Sequence, residues 1–549
     1  MAEKSTSEKS LFWADQLAGE IIVREKYRYL DKKAPKLNKF VVKTSASLSG
    51  VLHIGRLSDT IRGESVFRAL EDAGAKAELI WVAEHMDPLR KVPKGVPREY
   101  IDYIGVPVTD VPDPEGCHKS YADHHVAEYF KVLDDFVSTG MKKYSMREEY
   151  KRGSFREQVK SILENAGTII EIQNRYRQNK LGPGWSPWAP ICGNCRKIIT
   201  PRVAGFERGK VHYKCEDYKF EEAAAKGCGY EGESDPLKGE GKLLWKSEWA
   251  AQWAHWQVAS EGAGKEYQVP GSAFWINAEI VEKALDFPSP FPIFYEHIMV
   301  DGEKMSASKG NIVYPRDWLA VADAELLRFF YNKKLMKTRS FSWKDLPNLH
   351  DDYDRHGKVY FGDIEIENRK EKDHMKRLFE ISQMGKPRKR FTMPFDFAAM
   401  IGQVIPETRI NERVLSILKS TGHLEGRLDK EEEKYLETRM GHARTWAEKY
   451  APPEARIAVQ DKVSDKIRHG LSAKQKQCLK EIIPLLEKET NEKQLHDAFW
   501  EIAKKHDITP KELFAAAYMV LLGEERGPRL APFMLAVGKE RVIKLLKEL

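Results

Sequence analysis

The apolar run Phe40-Val41-Val42 predicts a buried strand, and the period of the pattern then changes. A small, polar loop spans Ser45 to Gly50, after which Ile54, Leu57 and Ile61 recur at helical spacing, with Asp59, Arg62 and Glu64 on other faces. The stretch therefore reads as strand, small-residue loop and helix. Leu79-Ile80-Trp81-Val82 predicts a second buried strand, ending in Ala83-Glu84-His85-Met86-Asp87. Upstream, Phe12 to Ile22 has helical spacing, with Trp13 and Leu17 placed to pack on the domain that follows. Residues 121–180 read as mostly helical, with Tyr129, Val132, Leu133 and Phe136 as a core stripe. Leu181-Gly182-Pro183-Gly184-Trp185-Ser186-Pro187 ends that region and opens an insertion. Trp245, Trp249, Trp253 and Trp256 line one face of a later helix, and core packing is the plain reading of Trp253 and Trp256. From Asp317 onward the pattern is overwhelmingly helical. Its expected core includes Leu415, Leu436, Trp446, Leu479, Ile482, Leu485, Leu495, Phe499 and Phe514.

Length and composition narrow this picture. A chain of 549 residues is too long for one core and implies three or four domains. Hydrophobic residues make up 42%, enough for globular folding. The net charge of +7 permits nucleic-acid binding without arguing for it, because local patches matter more than the sum. No run of 18 apolar residues is present, so no membrane span is expected. The opening MAEKSTSEKS has no apolar signal-peptide core, which gives a cytoplasmic expectation. Six cysteines do not make a disulfide scaffold; four cluster, and Cys117 and Cys478 stand apart.

Two stretches suit phosphate. A strand–loop–helix unit presents free backbone N–H groups at the helix N-terminus, where an anion is favoured. His53 and Gly55 open that helix: the glycine permits close approach, and the histidine can donate to a phosphate oxygen. Far downstream, Asp301-Gly302-Glu303-Lys304-Met305-Ser306-Ala307-Ser308-Lys309-Gly310 puts two lysines and two serines on a glycine-bounded loop. Taken alone, the first stretch also reads as a loop histidine on an α/β domain, and the second as a solvated surface loop.

The insertion carries Cys192-x2-Cys195 followed by Cys215 and Cys228. One CxxC knuckle and two further thiols form a structural zinc signal, since four thiolates close a tetrahedral site and fold a small module. Glu216 to Lys226 reads as an extra helical excursion inside it, and His212 is an alternative ligand. The other reading is four reduced cysteines in a small subdomain; a redox CxxC fits less well because two more cysteines lie near.

His53-Ile54-Gly55-Arg56 and Lys304-Met305-Ser306-Ala307-Ser308-Lys309-Gly310 resemble, in order and separation, the two signature motifs of class I aminoacyl-tRNA synthetases. Asp87-Pro88-Leu89-Arg90-Lys91-Val92-Pro93, His118-Lys119-Ser120-Tyr121-Ala122 and Leu522-Gly523-Glu524-Glu525-Arg526-Gly527-Pro528-Arg529-Leu530 are similar to segments of the class I lysyl-tRNA synthetases of archaea and some bacteria. The resemblance covers most of the chain. It implies an α/β fold: a Rossmann-like parallel-sheet catalytic domain, a small zinc-binding insertion and an all-α C-terminal anticodon-binding helical domain. The implied boundaries are a helical extension over 1–37, the catalytic domain over 38–184 and 241–316 with the zinc-binding insertion at 185–240, a connecting helical region over 317–385 and the anticodon-binding domain over 386–549.

The resemblance also implies roles. His53 and Lys304 would be catalytic; Gly50, His53, Gly55, Lys304, Ser306, Ser308 and Lys309 would bind ATP. Ser45, Ser47, Glu84, Asp87, Trp245, Glu266 and Tyr267 would line the amino-acid site, with Trp245 packing on the substrate side chain. Cys192, Cys195, Cys215 and Cys228 would hold structural zinc. The sequence departs from the family pattern at several of these positions. Ser45 and Ser47 stand where Gly and Thr are usual, Arg56 where His or Asn is, and Ala307 replaces a second lysine. Glu84-His85 stands for two aspartates, and Glu266-Tyr267 for Asp-His.

The implied reaction is ATP-dependent activation of L-lysine to lysyl-adenylate and transfer to the terminal ribose of tRNA(Lys), with Mg2+ accompanying ATP. The expected partners are L-lysine, ATP and tRNA(Lys), with a monomeric enzyme. Two alternatives stay open: a class I synthetase for glutamate or arginine, and a catalytically inactive synthetase-like tRNA-binding protein.

Overall fold

The computed structural model describes residues 12–46, 52–93, 95–182, 184–305, 309–405, 412–488 and 490–549. The chain forms two compact units that interleave in sequence: one of residues 1–315, 327–340 and 365–386, the other of 316–326, 341–364 and 387–549.

The first unit is built on strands β1 (Phe40–Ala46), β2 (Ala77–Ala83) and β3 (Lys142–Ser145), together with two strands contributed after the insertion. The insertion supplies β4 (Trp188–Pro190), β5 (Pro201–Glu207), β6 (Lys210–Cys215), β7 (Tyr218–Lys219), β8 (Ala224–Ala225) and β9 (Glu231–Ser234), and β10 (Gly241–Leu243) leads back out. The returning strands are β11 (Val258–Gly264) and β12 (Phe291–Tyr295). The five-stranded sheet runs β12-β11-β1-β2-β3, and all its pairings are parallel. That is the predicted α/β class, with β1 central and every strand ending at the same edge.

Helix α1 (Trp13–Ile22) packs on α2 (Ser58–Asp72), as its spacing predicts, and the Trp13 indole N–H donates to the Asn332 carbonyl at 2.9 Å. The polar residues of α2 are not on a wet face. Asp59, Arg62 and Glu64 are all buried, because α2 lies against the sheet on one side and residues 327–332 on the other. Each has partners: Asp59 takes the Ser45 N–H, Arg62 stacks over Tyr295 and Tyr331, and Glu64 pairs with Arg328. Gly63 lets α2 approach β1, since a Cβ there would lie 2.3 Å from Thr44 Cγ2.

The region 121–180 is helical in α3 (Tyr121–Leu133), α4 (Met146–Arg152), α5 (Arg156–Glu164) and α6 (Ala166–Asn174), but β3 interrupts it. Lys142-Lys143-Tyr144-Ser145 carries no apolar run, so only its place at the sheet edge makes it a strand. Helices α7 (Trp245–Trp256) and α8 (Ala273–Leu285) bring the indole stripe into the main core, where Trp249 and Trp253 are buried and Trp256 is partly exposed.

The insertion is a three-stranded antiparallel sheet, β5-β6-β9, beside the β4–β10 pair. The helix expected over Glu216–Lys226 is instead the hairpin β7–β8, closed by the Phe220 N–H to the Ala223 carbonyl at 2.8 Å. The segment is anchored at both ends by cysteines and is too short for a helical nucleus to be favourable. Tyr218 packs edge-on to Phe220 across the turn.

The second unit is helical, including Leu346–Phe361, Phe395–Val404, Lys430–Lys449, Ala473–Glu487, Glu492–Lys505 and Pro510–Leu522. Capping boxes start four of its helices, at Asp429/Glu432, Ser472/Gln475, Asn491/Gln494 and Thr509/Glu512. Of the expected core, Leu436, Trp446, Leu479, Ile482, Leu495 and Phe499 are buried, while Leu415, Leu485 and Phe514 are half-buried at its margin. Arg388, Lys389 and Arg390 are engaged within this unit, with Glu431, Asp363 and the Tyr435 ring. Among the described residues, no helix is long and apolar enough to cross a membrane.

Candidate active site and metal clusters

His53 caps a short 3-10 turn, Ile54–Leu57, that feeds α2. The turn is pinned by the Ile54 N–H to the Val313 carbonyl at 3.0 Å and by the Tyr331 hydroxyl to the Ile54 carbonyl at 2.8 Å. The downstream loop enters as the hairpin of β13 (Ile298–Val300) and β14 (Glu303–Lys304). His53, Gly55, Ser58, Tyr295, His297 and Lys304 line one cleft, so stretches some 250 positions apart in sequence meet there. A Cβ at Gly55 would lie 2.9 Å from the His53 ring and from Met305 Cε, so a side chain here would displace both. His53 Nδ1 is buried with no hydrogen-bond partner among the described residues. Burial pushes its pKa down to about 4, and the charges of Arg56 and Lys304 push the same way. His53 is therefore a neutral hydrogen-bonding ring beside two cations, an arrangement that favours an anionic ligand. Lys309 pairs with Glu303 at 2.9 Å. Ser47, Gly50, Ser306 and Ser308 lie outside the described residues.

The region around Glu84, just past the end of β2, is more charged than the motifs suggested. Lys43, on β1, is fully buried with its Nζ 2.9 Å from Glu84 Oε1 and 2.5 Å from Glu261 Oε1. Burial works to lower its pKa, but the two carboxylates outweigh this and raise it, so it stays charged. Glu261 also accepts the Trp253 indole N–H. The Ser45 N–H donates to Asp59 Oδ2 at 3.1 Å, and the Tyr295 hydroxyl to Asp59 Oδ1 at 3.3 Å. Burial raises Asp59 to about 6. His85 is buried and pushed down to about 4, again chiefly by burial, and its Nε2 lies 3.2 Å from the Ser145 hydroxyl. Asp87 is exposed, 3.4 Å from Lys242, which also lies 3.3 Å from buried Glu248.

Trp245 stacks on Trp249 with ring centroids 4.7 Å apart, and Tyr267 meets Trp249 edge-on at 5.5 Å. Glu266 is exposed and pairs with His297 at 3.0 Å, on the side of the signature cleft. Sequence reasoning missed Lys43, Asp59, Glu248 and Glu261. The available signal was Lys43 itself: a lysine inside a buried parallel strand requires a paired acid.

The sulfurs of Cys192, Cys195, Cys215 and Cys228 all lie within 4.8 Å of one another. Cys192–Cys228 and Cys195–Cys215 are each separated by 3.6 Å, close to the edge of about 3.8 Å of a tetrahedron with metal–sulfur bonds of about 2.3 Å. All four cysteines are free of disulfides. His212 is not in the cluster; it faces Glu233 at 3.6 Å, on the opposite-facing register of β6. A second group was not anticipated. Asp113, Cys117, His118 and His124 also converge within 4.8 Å, Cys117 Sγ lying 3.0 Å from His118 Nδ1 and 3.2 Å from His124 Nδ1. Cys117, which stood apart in the sequence, thus has a carboxylate and two imidazoles around it, a donor set suited to a divalent transition metal.

In the second unit, Lys419, His423, Asn491, Lys493, His496 and Arg529 line a cavity. His423 stacks on Phe397 at 4.1 Å, and Trp500, 52% exposed, lies beside His496. Cations with an open indole suit an unstacked base and its phosphate.

A parallel sheet that delivers two cation-bearing loops to one cleft at its carboxyl edge is the architecture of a class I aminoacyl-tRNA synthetase. The family model described as tRNA synthetases class I (K) matches residues 11–385, and that of an anticodon binding domain matches 420–549. The chain belongs to the class I tRNA synthetases (K). The lysine–tRNA ligase of Methanosphaera stadtmanae is 31% identical over 97% of this chain and 99% of its own length. Those of Methanocaldococcus jannaschii and Pyrococcus horikoshii are 32% and 31% identical over the same shares.

Proposed function

We infer that the chain is a lysine–tRNA ligase: it joins L-lysine to tRNA(Lys) through a lysyl-adenylate made from ATP. The observation that carries this reading is the meeting of His53, Gly55 and Lys304 in one cleft of a chain that aligns end to end with lysine–tRNA ligases. The lysine carboxylate attacks the α-phosphorus of ATP, and the bond to the pyrophosphate leaving group breaks. A terminal ribose hydroxyl of the tRNA then attacks the adenylate carbonyl and AMP leaves. No enzyme nucleophile is needed; the groups act by position and by stabilising charge on phosphate oxygens. His53 donates to a phosphate oxygen and Lys304 follows the charge that develops on the departing pyrophosphate, with Lys309 in support. Gly55 leaves the His53 ring the room that a Cβ would take. Mg2+ accompanies the nucleotide, held by phosphates and water. Charging of a tRNA(Lys) transcript with labelled lysine tests the reading; failure to charge, with the transcript still bound, would leave only a tRNA-binding protein.

The four cysteines are read as a structural zinc site that folds the insertion, and Asp113, Cys117, His118 and His124 as a second. Metal analysis of the purified chain is expected to give two zinc ions. Cys195→Ser and His124→Ala should each remove one without removing the other. A stoichiometry of one, lost with Cys195→Ser, would exclude the second site.

The cavity around His423 and His496 is read as a contact for the anticodon loop. Trp500→Ala and Lys493→Ala should each raise the KM for tRNA(Lys) about tenfold, in line with ~1–3 kcal/mol per stacked base. Pyrophosphate exchange measured without tRNA should not change. An unaltered KM for tRNA in both variants would remove this cavity from the interface.

A further inference from the structure

Helix α6 ends at Asn174, and the loop after it is tied off at its base. Asn174 Nδ2 donates to the Leu181 carbonyl at 3.1 Å, and its Oδ1 accepts the Leu181 N–H at 2.7 Å. The Lys180 ammonium closes on the Asn174 carbonyl. The loop holds out Tyr176, which is 51% exposed. Its ring lies against Gly271, where a Cβ would come within 2.6 Å of Tyr176 Cδ1. An aromatic ring fixed this firmly with half its surface in water is a platform without a partner.

The charges beside it are unbalanced. Arg175 pairs with Glu279 at 2.5 Å and is satisfied. Arg177 gives its Nε to the Asn179 carbonyl at 3.1 Å and stands near Lys246. Neither Arg177 nor Lys246 is in an ion pair among the described residues. Lys246 is half-buried; burial first, and then the Arg177 charge, lowers its pKa. Two cations held together without a carboxylate repel each other, and an anion between them removes that cost.

One loop, 265–272, joins this place to the active site. At its start Glu266 pairs with His297, which lines the signature cleft. Tyr267 then meets Trp249, and the Ser272 hydroxyl donates to the Tyr267 carbonyl at 2.6 Å, next to the Gly271 that seats Tyr176. Val269, on the same loop, is 58% exposed. Lys246 directly follows Trp245, whose carbonyl Asn277 Nδ2 ties to the first turn of α8. The exposed ring and the two cations therefore form a rim beside the aromatic wall of Trp245, Trp249 and Tyr267.

We propose that this rim holds the unpaired 3′ end of the tRNA as it enters the site: a base near the terminus stacks on Tyr176, and the adjoining phosphates meet Arg177 and Lys246. This rests on the lysine–tRNA ligase reading, which requires the terminal ribose to reach the adenylate. A ring face accepts any base, and cations on phosphate carry no sequence information. The contact thus positions the end without reading it.

The test measures equilibrium binding of two transcripts: full tRNA(Lys), and the same molecule without its last four nucleotides. Tyr176→Ala should weaken binding of the full transcript about tenfold, the usual scale for one stacked base, and leave the truncated one unchanged. Tyr176→Phe keeps the ring and should bind as wild type does. Arg177→Gln should weaken the full transcript alone and lower the slope of log affinity against log salt by about 0.7, one single-strand phosphate. The KM for tRNA(Lys) in charging should rise in step with each loss. Tyr176 and Arg177 sit at the surface, so the thermal midpoint of each variant should match the wild type. Equal weakening of both transcripts would place the contact on the paired stem and overturn the proposal. Unchanged affinity of Tyr176→Ala and Arg177→Gln for the full transcript, with the wild type charging tRNA(Lys) normally, would overturn it while leaving the reading of function intact. A wild type that does not charge tRNA(Lys) with lysine would overturn both.

Discussion

Lys304→Ala is expected to lower lysine-dependent pyrophosphate exchange by about 10^2- to 10^3-fold, the usual cost of losing one preorganised group at a developing charge. Lys304 is exposed at the mouth of the cleft and holds no packing role, so the fold should survive the change. The loss should fall on kcat, with the KM for lysine nearly unchanged, because the residues proposed for the amino-acid site sit on other elements. His53→Ala should give a loss of similar size. Its pH behaviour is specific: with a pKa pushed down to about 4, by burial first and then by Arg56 and Lys304, His53 is already neutral at pH 6 and above. The kcat/KM profile of the free enzyme should therefore show no limb near 6.5 that His53→Ala abolishes. Exchange that survives Lys304→Ala undiminished would remove Lys304 from the phosphate site.

Arg328→Met should cost about 3–5 kcal/mol of stability, the range for breaking a buried ion pair on one side. Arg328 and Glu64 are both fully buried within the catalytic unit. Arg328 also donates to the Phe136 and Ser382 carbonyls, and Glu64 accepts from Ser138 and Thr139. Removing the guanidinium would leave a carboxylate in the core with only neutral donors. Pairing it with Glu64→Gln should recover part of the loss, since the amide carries no charge. Burial works to raise the Glu64 carboxyl, but Arg328 and the hydrogen bonds overcome this and hold it low. A folded-state pKa below the unfolded value of about 4.3 contributes stability that is present above that pH and fades as the pH falls through the lowered value. Urea unfolding of the catalytic unit at pH 7 and pH 4 reads both effects; a change under about 1 kcal/mol at pH 7 would contradict them.

How much of this was legible in the sequence depends on what each element needed from its surroundings. β1, β2 and α2 were readable because their own apolar spacing matches their burial, as at Val41, Val42, Ile54, Leu57 and Ile61. β3 was not, because Lys142-Lys143-Tyr144-Ser145 becomes a strand only by pairing with β2. The stretch Glu216–Lys226 has helix-favouring composition, yet its tethered ends make a hairpin. The signature loops and the four cysteines were visible as residue types at set spacings. The spacing placed Asp59, Arg62 and Glu64 only on other faces of α2, because one sequence carries no sign that residues 327–332 cover them. For the same reason Lys43 passed unnoticed until Glu84 and Glu261 were seen beside it. The Asp113 cluster is local in sequence, but its donors become a set only when the 113–118 loop folds back on α3.

The most direct test of the central claim is ATP–pyrophosphate exchange with each amino acid in turn, with and without tRNA(Lys). Exchange with lysine alone among the amino acids is the predicted result. Exchange driven by glutamate or arginine, or none under any condition while tRNA still binds, would contradict it.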